Sequence, residues 1–399
     1  MESAPERESI GKYKIVTPLG RGGMGFVYLA RTIGPHQVSK LVVLKVLRPI
    51  FADDEEAKGL FFNEARLAAR LNHPNVVQTY EVGTDGGDHF ITMEFLEGQS
   101  LGAIRRVEWA SPLAMAKHLR ILCEVCAGLH YAHELADFDG TPLNLVHRDV
   151  TPNNVFVTYD GQIKLLDFGL AKAIWSAVKT QSGVLRGTLG YIAPEHVLGM
   201  PVDRRADVFA VGVMLWEAAA RRRLWQGKDE ANVLRDIVED RIPSPRTVNP
   251  SVPLELEAIC MRAIAQKLEY RYPTAAALQA DLEAFVEDSD LYAHARDVGR
   301  SVGELFKPSR EQLRQLLEQE LGRTNGSNRS PGNGSGSRHF PATTSEITEP
   351  TRERPASASD SPKKGTVKRE AASWSKWIEL GIFVALALLA FVAGRCSGR

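Results

Sequence analysis

The sequence predicts an α+β protein of two lobes, a small β-rich N-lobe and a larger helical C-lobe, with a C-terminal transmembrane helix. Three observations carry this. Residues alternate in the manner of strands in KYKIVTPLG, GFVYLART and LVVLKVL. After Gly98 the apolar residues fall mainly at three- and four-residue spacing, which places them on one face of a helix. Near the end, WIELGIFVALALLAFVAG is an almost unbroken apolar run.

The 399 residues suffice for a two-lobed domain with extensions. With 44% hydrophobic and 25% charged residues, the composition is ordinary for a soluble enzyme. The 49 basic residues balance 49 acidic ones, so charge gives no case for nucleic-acid binding and no nucleic-acid partner is expected. The N-terminal MESAPERES carries three Glu within eight residues and lacks the basic, apolar, small-residue order of a secretory signal. The N-terminal domain is therefore expected in the cytoplasm. Four cysteines supply no disulfide framework. Cys123 and Cys126 form a C-x-x-C, but ILCEVCAGLHYAHE reads as helix and puts both on its buried face. No second pair completes a zinc site.

Apolar periodicity marks residues 10–287 as the main domain, with one helix in its first part from Glu55 to Leu71. Residues 288–322 read as a helical extension interrupted at Pro308, expected to pack on the preceding lobe. Residues 323–373 are rich in Gly, Ser, Pro, Thr and charge. They bury too little to offset their ordering entropy and are expected to form a disordered linker.

The transmembrane helix is assigned to residues 377–394. Eighteen helical residues span about 27 Å, at the short end for a hydrocarbon core of about 30 Å. A buried or amphipathic helix would show a polar face, and none exists between Gly381 and Gly394. Trp374 and Trp377 sit where interfacial aromatics belong. Lys363, Lys364, Lys368, Arg369 and Lys376 precede the segment while Arg395 and Arg399 follow it, which orients the N-terminal side to the cytoplasm. The expectation is a single-pass protein of the cytoplasmic membrane, and the five residues beyond Gly394 leave no room for an external sensor domain.

LGRGGMGFVYLA holds Gly20, Gly22 and Gly25 in G-x-G-x-x-G spacing. A dinucleotide-binding loop of that spacing opens a helix, whereas here Phe26, Val27, Tyr28 and Leu29 continue in β-type residues. The loop therefore joins two strands, and its glycines let backbone N–H groups approach phosphate oxygens. An ordinary hairpin turn would not need three glycines.

Further motifs follow in order: Lys45 in LVVLKVL, Glu64 in FFNEARLAARLNHPNVV, His147-Arg148-Asp149 in HRDVTPNN with Asn154, Asp167-Phe168-Gly169 in LLDFGLAKA, and Ala193-Pro194-Glu195 in GTLGYIAPE. In this ordered set the chain resembles the eukaryotic-like Ser/Thr protein kinase family, particularly its bacterial members, over about residues 10–286. The resemblance implies a two-lobed protein-kinase fold and an ATP- and Mg²⁺-dependent enzyme that phosphorylates Ser/Thr hydroxyls of protein substrates.

It also assigns roles. Lys45 holds the α/β-phosphates and Glu64 pairs with it. Asp149 accepts the proton of the substrate hydroxyl, Asn154 and Asp167 supply hard oxygen ligands to Mg²⁺, and Thr188 sits beside the catalytic Asp. Leu19, Gly20, Arg21, Gly22, Gly23, Met24, Gly25, Phe26 and Val27 cover the nucleotide. Val43, Met93, Glu94 and Leu96 line or hinge the adenine pocket. Asp207 braces the catalytic loop and Arg271 pairs with Glu195. Arg148 before the catalytic Asp implies control by phosphorylation of the activation segment, with Thr180 and Ser182 as the sites and the new phosphate pairing with Arg148.

Two positions depart from the pattern. Thr151 stands where Ser/Thr members usually carry a lysine on the γ-phosphate, which lowers the expected rate. Val43 replaces an alanine against the adenine and tightens that pocket. The stretch ADFDGTPLNL before the catalytic loop is longer than usual and reads as a surface loop. Thr151 also supports an alternative, a membrane-tethered pseudokinase scaffold, against intact Lys45, Glu64, Asp149, Asn154 and Asp167. A small-molecule kinase is disfavoured by the Thr188 and APE segments, which build a peptide platform. The input to such an enzyme is cytoplasmic, a membrane partner, or crowding through a homodimer, and the sequence leaves these open.

Overall fold

The computed structural model describes residues 5, 7–22, 24–33, 39–108, 114–168 and 189–326. Among them, antiparallel strands β1 (Ser9–Ile10), β2 (Tyr13–Arg21), β3 (Gly25–Ile33), β4 (Ser39–Leu47), β5 (Thr79–Asp85) and β6 (Asp88–Glu94) form one sheet in the order β1-β2-β3-β4-β6-β5. Residues alternate across it, so Phe26, Tyr28, Val42, Leu44, Val46 and Phe90 share one buried layer. Helix α1 (Glu55–Ala68) covers the other face through Ala57, Phe61 and Ala65.

Helix α1 begins where the Asp54 carboxylate accepts the Ala57 N–H at 3.0 Å, with Glu55 and Glu56 in the first turn to complement the helix dipole. It stops at Ala68, three residues short of the expected end. Arg70 and Leu71 instead donate to Leu67 and Ala68 at 3.1 Å, the tightened last turn that leads into Pro74.

The second lobe opens with β7 (Gly98–Ser100), α2 (Leu101–Glu108) and α3 (Met115–His133), then β8 (Val155–Thr158) and β9 (Ile163–Leu165), with order β7-β8-β9. There follow α4 (Pro194–Val197), α5 (Arg205–Ala220), α6 (Glu230–Val238), α7 (Leu254–Ala263) and α8 (Ala275–Asp288). Helix α5 is apolar on nearly every side and buried from Ala206 to Ala220, as the central helix of a lobe must be. Cys123 and Cys126 lie on the buried face of α3. The two-lobed α+β arrangement expected from the periodicity is present.

The extension is two helices, α9 (Ala295–Leu305) and α10 (Lys307–Gly326), where one interrupted helix was expected. The break falls at Phe306; Pro308 lies in the first turn of α10, where its missing N–H leaves no bond unmade. Val298 and Val302 of α9 are fully buried against the C-lobe core. Gly161, at φ +94° in the β8–β9 turn, touches α9 so closely that a Cβ would lie 1.9 Å from the Ala295 carbonyl oxygen. The inserted stretch before the catalytic loop forms a small turn bridged between Ala136 and Pro142, and Arg70 donates to the Ala136 carbonyl at 3.0 Å.

No helix among the described residues is long and apolar enough to cross a membrane. The expected linker at 323–373 lies almost wholly outside the described residues, and the span assigned to 377–394 lies entirely outside them.

Candidate active site

The glycine loop joins two strands, as the residues after Gly25 indicate. The Gly22 N–H donates to the Gly25 carbonyl at 2.8 Å. Gly25 is required sterically, since a Cβ there would meet the Val46 carbonyl oxygen at 2.8 Å. Gly23 and the side chain of Arg21 lie outside the described residues, while Leu19 is exposed at the strand end.

Lys45 sits in the centre of the sheet, opposite Val27 on β3 and Ile91 on β6. Its Nζ lies 2.9 Å from Glu64 Oε1 on α1 and 3.0 Å from Asp167 Oδ1 beyond β9. Burial acts to lower the Lys45 pKa, but the adjacent Asp167 and Glu64 charges outweigh it and hold the ammonium above its usual range. Lys45, Glu64, Met93, Asp167 and Phe168 line one small recess of about 20 Å³, which puts Met93 at the back of the site. Val43 pairs with Met93 across the sheet, and Glu94 closes β6.

Phe168 is buried with Leu71, Val76 and Leu145, its ring 4.4 Å from that of His147. Asp167 adopts φ +39° and Arg148 φ +63°. For non-glycine residues this backbone costs about 1–3 kcal/mol each and persists only where the surroundings enforce it.

Those surroundings centre on Asp207 of α5. Its Oδ2 accepts from the His147 N–H at 2.8 Å and from His133 Nε2 at 2.8 Å, while Oδ1 accepts from the Arg148 N–H at 2.9 Å. Burial acts to raise the Asp207 pKa, but the His133 bond and charge, with further help from His147, hold it below the usual carboxylate range. His147 Nε2 meets the Leu166 carbonyl at 3.0 Å and Nδ1 meets the Asp149 N–H at 3.3 Å. A carbonyl only accepts, so the proton sits on Nε2.

Asp149 is thereby set at the base of the site, 4% exposed. Asn154 Nδ2 donates to the Asp149 carbonyl at 2.9 Å and to its Oδ2 at 2.6 Å. With its amide hydrogens engaged, Asn154 has its oxygen to offer to a cation, and with the Asp167 carboxylate this gives the hard donor set that fits Mg²⁺. Thr151 is buried, its carbonyl accepting the Asn154 N–H at 2.9 Å. Arg271 makes a buried bidentate pair with Glu195 at 2.8 and 3.2 Å.

Lys45, Glu64 and Asp167 therefore meet in one recess, and Asn154, whose carbonyl accepts the Leu166 N–H at 2.8 Å beside Asp167, holds Asp149. Thr180, Ser182, Thr188 and Gly169 lie outside the described residues. Two contributors have no motif of their own. His133 carries no sequence signal and is recognised only by its contact with Asp207, and Lys164 clamps the Glu94 carboxylate at 2.7 Å while the Gln78 N–H donates to the same oxygen at 2.8 Å.

The family model described as protein kinase domain matches residues 13–283. The chain belongs to the protein kinase family. Its relatives among bacterial Ser/Thr kinases set it with the eukaryotic-like members of that family. It is 41% identical over 288 residues to the tyrosine-protein kinase MasK of Myxococcus xanthus, covering 71% of this chain and 44% of that one. It is 32% identical over 273 residues to the serine/threonine-protein kinase PrkC of Bacillus subtilis, covering 68% and 40%. Among solved structures, the PknI kinase domain of Mycobacterium tuberculosis matches with a TM-score of 0.55 at 27% identity, over 72% of this chain and 100% of that one. This protein kinase spans less than half the length of these curated relatives.

Proposed function

We propose that the chain is a Ser/Thr protein kinase that transfers the γ-phosphoryl group of ATP to hydroxyls of protein substrates. The observation that carries this is the buried Lys45 contact to both Glu64 and Asp167, with Asn154 holding Asp149 alongside. The family generally uses ATP and Mg²⁺, and the bound metal–nucleotide would supply the phosphoryl group with much of its charge offset. Lys45 would position the α/β-phosphates, Asn154 and Asp167 would hold the metal, and Leu19 to Val27, Val43, Met93, Glu94 and Leu96 would enclose the base and phosphates. Asp149 orients the acceptor hydroxyl and takes its proton. The pseudokinase alternative is not favoured, because each of these groups is intact.

Residues 10–287 form the catalytic domain, 288–322 its extension, 323–373 a linker and 377–394 a span that keeps the kinase at the cytoplasmic face. Activation follows phosphorylation at Thr180 or Ser182. Arg148 supports this, since its buried Nε has no hydrogen-bond partner among the described residues.

A tyrosine acceptor is the second reading, supported by the MasK likeness and by Thr151 in place of the usual lysine. Incubation with labelled ATP and Mg²⁺ followed by phosphoamino-acid analysis tests both. Label on Ser or Thr supports the first reading, label on Tyr alone the second, and no label on any hydroxyl defeats both.

A further inference from the structure

Beside the catalytic loop lies a cleft of about 190 Å³, walled by α2, Pro152 and Asn153, the segment Leu189–Tyr191, the end of α5 and the start of α6. Tyr191 also lines the recess that contains Asp149 and Thr151. The cleft therefore opens next to the point where an acceptor side chain meets Asp149.

Its floor is rigid and electrically closed. Arg105 and Glu217 form a buried pair at 2.6 Å, and Arg105 Nη2 also donates to the Met214 carbonyl at 2.8 Å. Glu217 accepts further bonds from the Tyr191 hydroxyl at 2.8 Å and the Leu224 N–H at 3.3 Å. Trp225 Nε1 donates to the Gly190 carbonyl at 2.9 Å, which fixes the wall nearest the acceptor. The one buried acid is thus consumed by three donors and offers nothing to a cationic ligand.

The rim has the opposite character. Arg106 and Arg223 both line the cleft and are exposed, and neither has a hydrogen-bond or ion-pair partner among the described residues. Lys228 adds a third cation, paired with Asp236 and 5.6 Å from the Trp225 ring. Against four cations the lining holds two acids, Glu217 and Glu230. An arginine at such a rim gains most from a carboxylate or phosphate, whose geometry matches its forked donors.

We propose that this cleft binds an anionic side chain, carboxylate or phosphate, that flanks the acceptor residue in the protein substrate. Arg106 and Arg223 are its specificity-determining residues. The proposal rests on the protein-kinase reading of the site.

The test uses the full chain and peptides with one Thr acceptor flanked by Ala, Asp, phosphoserine or Arg. Wild type is expected to show kcat/KM roughly tenfold higher for the Asp and phosphoserine peptides than for Ala, mainly through KM, with the Arg peptide poorest. An advantage confined to phosphoserine assigns the site to a previously phosphorylated substrate; an advantage for both assigns a general anion. The double variant Arg106→Glu/Arg223→Glu, both surface positions, is expected to invert the Asp-to-Arg ratio. Equal use of all peptides by wild type, or an acidic preference unchanged in the double variant, overturns the cleft proposal and leaves the kinase reading standing. No transfer to any peptide, with Asp149→Asn indistinguishable from wild type, removes the kinase reading and this proposal with it.

Discussion

Lys45 and Glu64 meet at 2.9 Å across 19 positions of sequence, and the contact is buried on both sides. It joins a central strand of the sheet to helix α1, which packs on that sheet. The same ammonium reaches Asp167 at 3.0 Å in the second lobe, so a single side chain ties three elements together.

Replacing Lys45 by Met should therefore disable catalysis more than folding. At least a roughly hundredfold loss of kcat/KM is expected, the scale of one preorganised electrostatic contact, with a cooperative melt retained. Glu64→Gln keeps the shape but not the charge and should fall between wild type and Lys45→Met. Initial rates and circular dichroism melts check both. Full activity in Lys45→Met would contradict the assigned role.

Asp207 gives a pH dependence with a definite sign. Its folded pKa lies below the ordinary value, so it contributes stability that is complete above about pH 4, the unfolded carboxyl value. That contribution is lost as pH falls through the lower folded value. The stability difference between wild type and Asp207→Asn should hold steady above about pH 4 and shrink below it. Denaturant titrations across pH 2–7 read this directly; a difference that grew toward acid would contradict the network.

Gly161 and α9 make the extension part of the catalytic lobe. Gly161→Ala sets a Cβ against the Ala295 carbonyl in a left-handed conformation, so a loss of about 1–3 kcal/mol is expected. The Tyr159 N–H donates to the Glu97 carbonyl at 2.9 Å, within the segment between β6 and β7 that carries Leu96, so ATP affinity should weaken too. A urea midpoint equal to wild type would show that α9 is not held there.

Burial pushes the Cys123 thiol up to about 12, and it raises Cys126 and Cys260 as well. At pH 8 the Cys123 thiolate fraction is on the order of 10⁻⁴. N-ethylmaleimide should leave these three unmodified in the folded protein and label them in denaturant, as peptide mass mapping would show. Rapid native labelling of Cys123 and Cys126 would revive a redox reading of C-x-x-C.

Much of this was legible because kinase-type chemistry draws on local motifs. Gly25 with β-type residues after it implied a strand–loop–strand hairpin, and Lys45, Glu64, Asp149, Asn154 and Asp167 announced themselves by order and spacing. What stayed hidden depends on tertiary contact. Nothing local to His133 marks it as the partner of Asp207, and Lys164 reads as an ordinary strand lysine until the fold carries it to Glu94. The docking of α9 was expected only in general terms. Gly299 and Gly303, four apart on one helix face, were the available signal, and Gly299 is where a Cβ would meet the Tyr159 carbonyl oxygen at 2.6 Å. Pro308 suggested a break at its own position, yet helices accept proline in their first turn, which moved the break back to Phe306.

The most direct test of the central claim is the initial rate of phosphoryl transfer from labelled ATP to a generic protein substrate, compared between wild type and Asp149→Asn. Asparagine preserves the size and the bonds from Asn154 but removes the base. The expected result is a fall of about 10²–10⁴-fold with an unchanged melting profile. Equal rates from the two proteins would contradict it.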